Sequence, residues 1–174
     1  MTFYKPFSIA LNVATQQMVT NLFPTGYDIS KDAPETLEDL CQHIRDTGRM
    51  LVSSENCEGT IFGSAEINMD FRAWHDWCHW YLQAPFTREG EALACAEQQR
   101  HLKVKGLGDD RAKALLDIEV NEQAFHYERH GAFPTNQRAF TRVAMIARGL
   151  NMKGIPTQYE DAMAGHKTVD SMIG

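Results

Sequence analysis

Residues 110–131 read DRAKALLDIEVNEQAFHYERHG, and this stretch decides what kind of fold to expect. At 100° per residue, Leu115, Ile118, Glu119, Glu122, Phe125 and His126 fall in one sector of a helix. Asp109 or Asp110 supplies the N-terminal cap, and Gly131 ends the segment. The apolar members of that sector predict a helix packed on a core. Its two carboxylates and its imidazole share the same stripe, which is unusual, because a buried charge costs several kcal/mol unless it is paired or bound to a cation. The alternative is a half-buried stripe with these groups solvated or paired to Arg72 or Arg100. Glu128 lies on the opposite side and reads as solvated. His130, in the last turn, suits the negative end of the helix dipole.

Upstream, helices are predicted over 65–83, ending before Pro85, and from Thr87, as N-cap, to Gly106. Downstream, a helix is expected from about Thr135 to Gly149. Earlier in the chain, Ile9–Leu22 and Pro34–Gly48 read as two further helices, the second with a Leu37/Leu40/Cys41/Ile44 stripe. Met50-Leu51-Val52 and Thr60-Ile61-Phe62, joined by a polar, Gly-containing connection, predict a small β-hairpin. From Gly154 onward a loop with a short helix near Glu160 is expected. The fold class is therefore mainly α: a bundle-like single helical metal-binding domain over residues 1–174, with one small hairpin.

Within 65–83, the run Phe71-Arg72-Ala73-Trp74-His75-Asp76-Trp77-Cys78-His79-Trp80 carries the second chemical signal. His75 and His79 are i,i+4 neighbours on one helical face, the spacing at which two imidazoles chelate one ion. It is the HExxH spacing with Asp76 in place of Glu, one methylene shorter and so less able to reach a water on the metal. Two histidines packed among tryptophans and bonded to backbone are the bland alternative. In the next helix Glu91, Ala94, Cys95, Gln98 and Leu102 share a face, so Glu91 either points inward with them or favours the helix's first turn for its dipole. Glu97 falls well away from that face. Together His75, His79, Glu91, Glu119, Glu122 and His126 offer nitrogen and carboxylate ligands from three helices. This donor set suits Zn, Mn or Fe better than Mg, and it is compatible with one ion or two.

The stretch from Ile61-Phe62-Gly63 through His79 resembles uncharacterised bacteriophage-encoded proteins that carry an FRAxHDxxxH-like run followed by a Gly-Glu pair, here Gly90-Glu91. The resemblance brings no activity with it and implies a viral gene acting in a host cytoplasm. In HD-type phosphohydrolases a separate His, an adjacent His-Asp pair and a distant Asp bind metal. His43, His75-Asp76 and Asp117 would be the counterparts, but His43 and Asp117 project away from their helices' inward stripes. Ferritin-like di-iron proteins use similar ligand chemistry on four helices, whereas this chain has no true ExxH motif.

The composition narrows the functional classes. At 174 residues the chain fits one domain. A formal net charge of -6 argues against general nucleic-acid binding. Cys41, Cys57, Cys78 and Cys95 form no CxxC pair, which favours reduced thiols in a cytoplasm. No apolar stretch is long enough to span a membrane, and no secretory signal is evident. The function expected is a metal-dependent hydrolase acting on a small-molecule substrate, phosphorylated or nucleotide-like. Asp76 or an unliganded Glu would act as base, and Arg72 would orient that carboxylate or bind an anionic group. The alternatives are a di-iron or di-manganese redox protein, and a non-enzymatic protein with a structural metal or a buried polar cluster.

Overall fold

The computed structural model describes residues 4–170, with side chains described through residue 164. The helices begin where short polar side chains replace a missing backbone acceptor. Ser8, Thr36, Ser64, Thr87, Asp109 and Asn136 each accept the backbone N–H three residues on, opening α1 (Ile9–Leu22), α2 (Leu37–Thr47), α3 (Ala65–Leu82), α4 (Arg88–Lys105), α5 (Asp110–Asp117) and α7 (Gln137–Ala147). Left-handed glycines at 48 and 106 close α2 and α4. Between α5 and α6 (Gln123–His130) lies a π-helical turn, Ile118–Glu122, in which the Gln123 N–H reaches back to the Ile118 carbonyl. The last helix, α8, covers Gln158–Asp170.

Helix α3 is central. It packs against α1 on one side and α4 on another, and it also meets α2. Its Phe71, Trp74 and Cys78 join Leu11 and Met18 of α1, Ala94, Cys95 and Leu102 of α4, and Leu115, Leu116 and Ile118 in the main core. A second, smaller core forms around Leu40, Met50, Val52 and Ala73. Burial of such side chains supplies about 1.5–3 kcal/mol each and is the main force holding α3 between its neighbours. Arg138 and Arg142 of α7 anchor α8, and Arg138 also holds the segment at Lys5. Both pair with Asp161 of α8, while Arg138 donates to the Lys5 and Thr60 carbonyls.

The fold is mainly α, as expected, but its β element is not a hairpin. Strand β2 (Leu51–Ser53) pairs in parallel with β1 (Asp28–Ser30), in the register Asp28↔Leu51, Ile29↔Val52, Ser30↔Ser53, and α2 makes the crossover. Thr60-Ile61-Phe62 is not a strand. Ile61 and Phe62 are buried anchors of the main core, and the Ile61 carbonyl accepts the Phe7 N–H. Beyond Ser53 the polar connection is a loop over residues 54–59, and Arg72 holds the Ser53 and Glu55 carbonyls at its start. Among the described residues no helix is long and apolar enough to cross a membrane.

Candidate metal centre

Two turns of local structure build the site. On α3 the i,i+4 spacing stacks His75 and His79 on one face, with their ring centroids 4.6 Å apart. The chain then leaves α3 through Gln83 in a left-handed conformation and re-enters a helix after Thr87. Gly90 lets this turn close tightly: a Cβ there would lie 1.8 Å from the Pro85 carbonyl oxygen. The close approach sets the first turn of α4 beneath the histidines and carries Glu91 to them.

Three side chains converge as a result. His75 Nε2 lies 2.9 Å from Glu91 Oε2, His79 Nε2 lies 3.4 Å from Glu91 Oε1, and the two Nε2 atoms are 3.0 Å apart. The outer ring nitrogens are engaged elsewhere. His79 Nδ1 is 2.9 Å from the Ala84 carbonyl oxygen, and His75 Nδ1 is 3.1 Å from Gln98 Oε1. A carbonyl oxygen can only accept, so the Nδ1 atoms carry the protons and donate. Both Nε2 lone pairs then face each other and a carboxylate. Such a set needs a positive charge at its centre, either a proton or a metal ion.

The distances suit an ion. Four ligands at Zn–N distances of 2.0–2.1 Å lie about 3.3 Å apart at the corners of a tetrahedron, and cis ligands of an octahedron of that size lie about 3.0 Å apart. The observed separations of 2.9, 3.0 and 3.4 Å fall in this range. Histidines that bind metal regularly donate their other N–H to a carbonyl or carboxylate, which fixes the tautomer, as Ala84 and Gln98 do here. His75, His79 and Glu91 could therefore hold a metal ion. The His79 side chain is fully buried, whereas those of His75 and Glu91 retain 14% and 22% of their exposure, so the group keeps some contact with solvent through these two.

Without a metal, protons balance the cluster. Burial pulls the His75 imidazole down, but the Glu91 charge and hydrogen bond outweigh it and bring the group up to about 9. Burial works against the Glu91 carboxylate, yet the two histidines hold it well below the usual range. Next to them, Asp76 is pushed up by burial to about 6, with the His75, His79 and Arg72 charges opposing and Glu91 adding. Asp76 lines an open cleft of about 1140 Å³, together with Arg72, Asn68, Phe71, Glu119 and Gln123.

The six residues expected as ligands do not all meet. Glu119, Glu122 and His126 are not brought to the histidine pair. Glu122 binds Arg148 at 2.6 Å, beside Asp117, and stands on the outside of the bundle. His126 Nδ1 donates to the Ala132 carbonyl, and its ring packs on His130 and Phe140. Glu119 is buried on the cleft wall and pushed up by burial to about 7, against the influence of Gln123 and the Arg72 charge. The cause is the π turn. Its wider backbone inserts one residue into the α-helical phase, so Glu119 and Gln123 face inward where a regular helix would bury Glu119, Glu122 and His126 together.

Arg72 differs from expectation as well. Its guanidinium donates to the Ser53 and Glu55 carbonyls at 3.0 and 2.6 Å, so its first task is to hold the 53–57 loop. Glu97, expected away from the inward face of α4, is buried and paired with Arg100 and His101, and His101 in turn accepts the Trp74 indole N–H. The HD-type arrangement is not formed either, since Asp117 pairs with Arg148 and His43 joins no metal-ligating group among the described residues. Gln98 and the Ala84 carbonyl are functional groups that sequence reasoning missed. Gln98 was visible on the inward face of α4, but nothing in the sequence marks it as the partner of a histidine. Compared with known proteins, the chain matches no family model, and no curated protein or solved structure is significantly similar to it.

Proposed function

We propose that the protein is a metal-dependent hydrolase whose ion is held by His75, His79 and Glu91. The carrying observation is the convergence of two Nε2 lone pairs and a carboxylate, with both Nδ1 protons already committed to Ala84 and Gln98. Two imidazoles and one carboxylate suit zinc, manganese or iron, and three protein ligands leave a position open. A divalent ion so placed supplies Lewis acidity that brings the pKa of a water toward neutrality. Asp76, next to His75 in sequence and lining the cleft, which His75, His79 and Glu91 do not themselves line, would accept the proton. The cleft is of a size for a small-molecule substrate. Four buried free thiols and the acidic net charge fit a cytoplasmic enzyme that is not a general nucleic-acid binder.

A dinuclear redox centre has less support, because only three of the six ligands it calls for come together. Metal analysis of the purified protein is the test. About one equivalent of zinc, manganese or iron is expected, lost in both His75→Ala and Glu91→Gln, together with turnover of a phosphoester, amide and nucleotide panel by the loaded protein. Unchanged metal content in both variants would refute the ligand set. Metal-dependent stability without turnover of any panel member would leave a structural metal, the non-enzymatic alternative.

A further inference from the structure

Helix α8 is docked unlike its neighbours. Helices α1, α3, α4, α5 and α7 all put apolar side chains into the main core. Of the α8 side chains described, 158–164, none is buried, and its large apolar ones, Tyr159 and Met163, are 74% and 43% exposed. The chain is fixed just before the helix, where Ile155 enters the core. Thr157 and Glu160 then cap α8 reciprocally: the Thr157 N–H donates to Glu160 Oε2 at 2.7 Å, and the Glu160 N–H donates to Thr157 Oγ1 at 3.2 Å. The helix thus starts as a self-contained unit, and Asp161 joins it to α7 by charge.

The Asp161 carboxylate lies between two guanidiniums. Arg138 grips it at two points, with Nε and one terminal nitrogen each 2.8 Å from an oxygen, and Arg142 donates to one of the same oxygens. These arginine side chains are 3% and 10% exposed, and contacts other than Asp161 fix their positions. Arg138 donates to the Lys5 and Thr60 carbonyls and lies 4.6 Å from the centre of the Phe7 ring. Arg142 donates to the Pro156 carbonyl and lies 5.3 Å from the same ring. Two buried positive charges therefore meet one negative charge, and all three groups line the same cleft as Asp76. A group of charge near minus two in place of Asp161 would balance both arginines, and a phosphate monoester is such a group at neutral pH.

We propose that Arg138 and Arg142 form a seat for the phosphate of a phosphorylated small molecule, and that Asp161 occupies this seat until such a ligand displaces it. The phosphate oxygens take over the N–H groups that Asp161 gives up. Helix α8, with no buried side chain among those described to keep it in place, then swings from Thr157 and takes Gln158, Asp161 and Ala162 off the cleft wall. The seat does not depend on whether His75, His79 and Glu91 carry a metal.

The test is hydrogen exchange of the α8 amides in the full chain, stripped of metal beforehand, with inorganic phosphate as the probe. At about 50 mM phosphate and about pH 8, α8 should exchange about tenfold faster than in sodium chloride of equal ionic strength, with α3 and α4 unchanged. Asp161→Asn removes the internal competitor, so calorimetry should find phosphate bound about tenfold more tightly than by the parent. In the doubly substituted Asp161→Asn/Arg142→Gln protein that gain should vanish. Equal exchange of α8 in phosphate and chloride, or equal phosphate affinity of the parent and Asp161→Asn, would overturn the proposal. The exchange comparison uses the unaltered protein and decides the matter even if a variant fails to fold.

Discussion

Replacing Glu119 with Gln tests how the π turn loads the cleft with a buried acid. In the folded protein burial raises this carboxyl from its ordinary 4.5 to about 7. Below pH 4.5 both folded and unfolded chains hold the proton, and stability is unaffected by it. Between 4.5 and about 7 the unfolded chain releases the proton while the folded chain keeps it, so stability falls as pH rises. Above about 7 both forms are ionised and the penalty is complete. At roughly 1.4 kcal/mol per pH unit, the interval corresponds to about 3 kcal/mol. Glutamine keeps the shape of the protonated acid and has nothing to titrate. The stability of Glu119→Gln relative to the parent should therefore climb by about 3 kcal/mol between pH 4 and pH 8. For a domain of this size that amounts to about 6–12 °C in melting temperature. Urea unfolding at a series of pH values, with EDTA present, measures it, and other titrating groups cancel in the difference. Parallel stability curves for the two proteins would show that Glu119 is not held as a neutral acid.

Three further outcomes follow from the same geometry. A metal at a hundredfold excess over its dissociation constant should stabilise the parent by about 2.7 kcal/mol in thermal melts; His75→Ala should abolish the shift, whereas Glu122→Ala and His126→Ala should retain it, because Arg148 and Ala132 are the partners of those side chains. Metal uptake should release a proton and weaken about tenfold for each pH unit below about 9, since the metal-free His75 holds a proton over that range; a pH-independent affinity measured by competition with a chelator would contradict the proton-filled cluster. Gly90→Ala places a methyl 1.8 Å from the Pro85 carbonyl oxygen, so α4 must shift at its start. A stability loss of about 2 kcal/mol or more is expected in denaturant unfolding, together with weaker metal binding as Glu91 is drawn away from His75.

Most of the helical framework was legible from local chemistry. Caps such as Thr87, and Gly106 at the end of α4, act within one turn of chain, so their meaning is written in neighbouring residues. The β pairing was not legible in this way. Asp28-Ile29-Ser30 has a single apolar residue and carries no strand signal of its own. It becomes a strand because Leu51–Ser53 presents an edge to it across α2.

The candidate site divides along the same line. The sequence alone determined that His75 and His79 share a face, because an α-helix fixes the direction of residues four apart whatever surrounds it. Glu91 reaches them only through the α3–α4 turn, where Gln83, Pro85 and Gly90 set how closely two helices approach. The roles of Glu119, Glu122 and His126 were settled by tertiary structure as well. A single π turn, stabilised by packing against α4 and α7, alters the helical phase by one residue. Helical periodicity is a local rule and holds until the surrounding core makes a different backbone hydrogen bond more favourable. Here the core does so at Ile118, turning one carboxylate toward the cleft and leaving the other to Arg148.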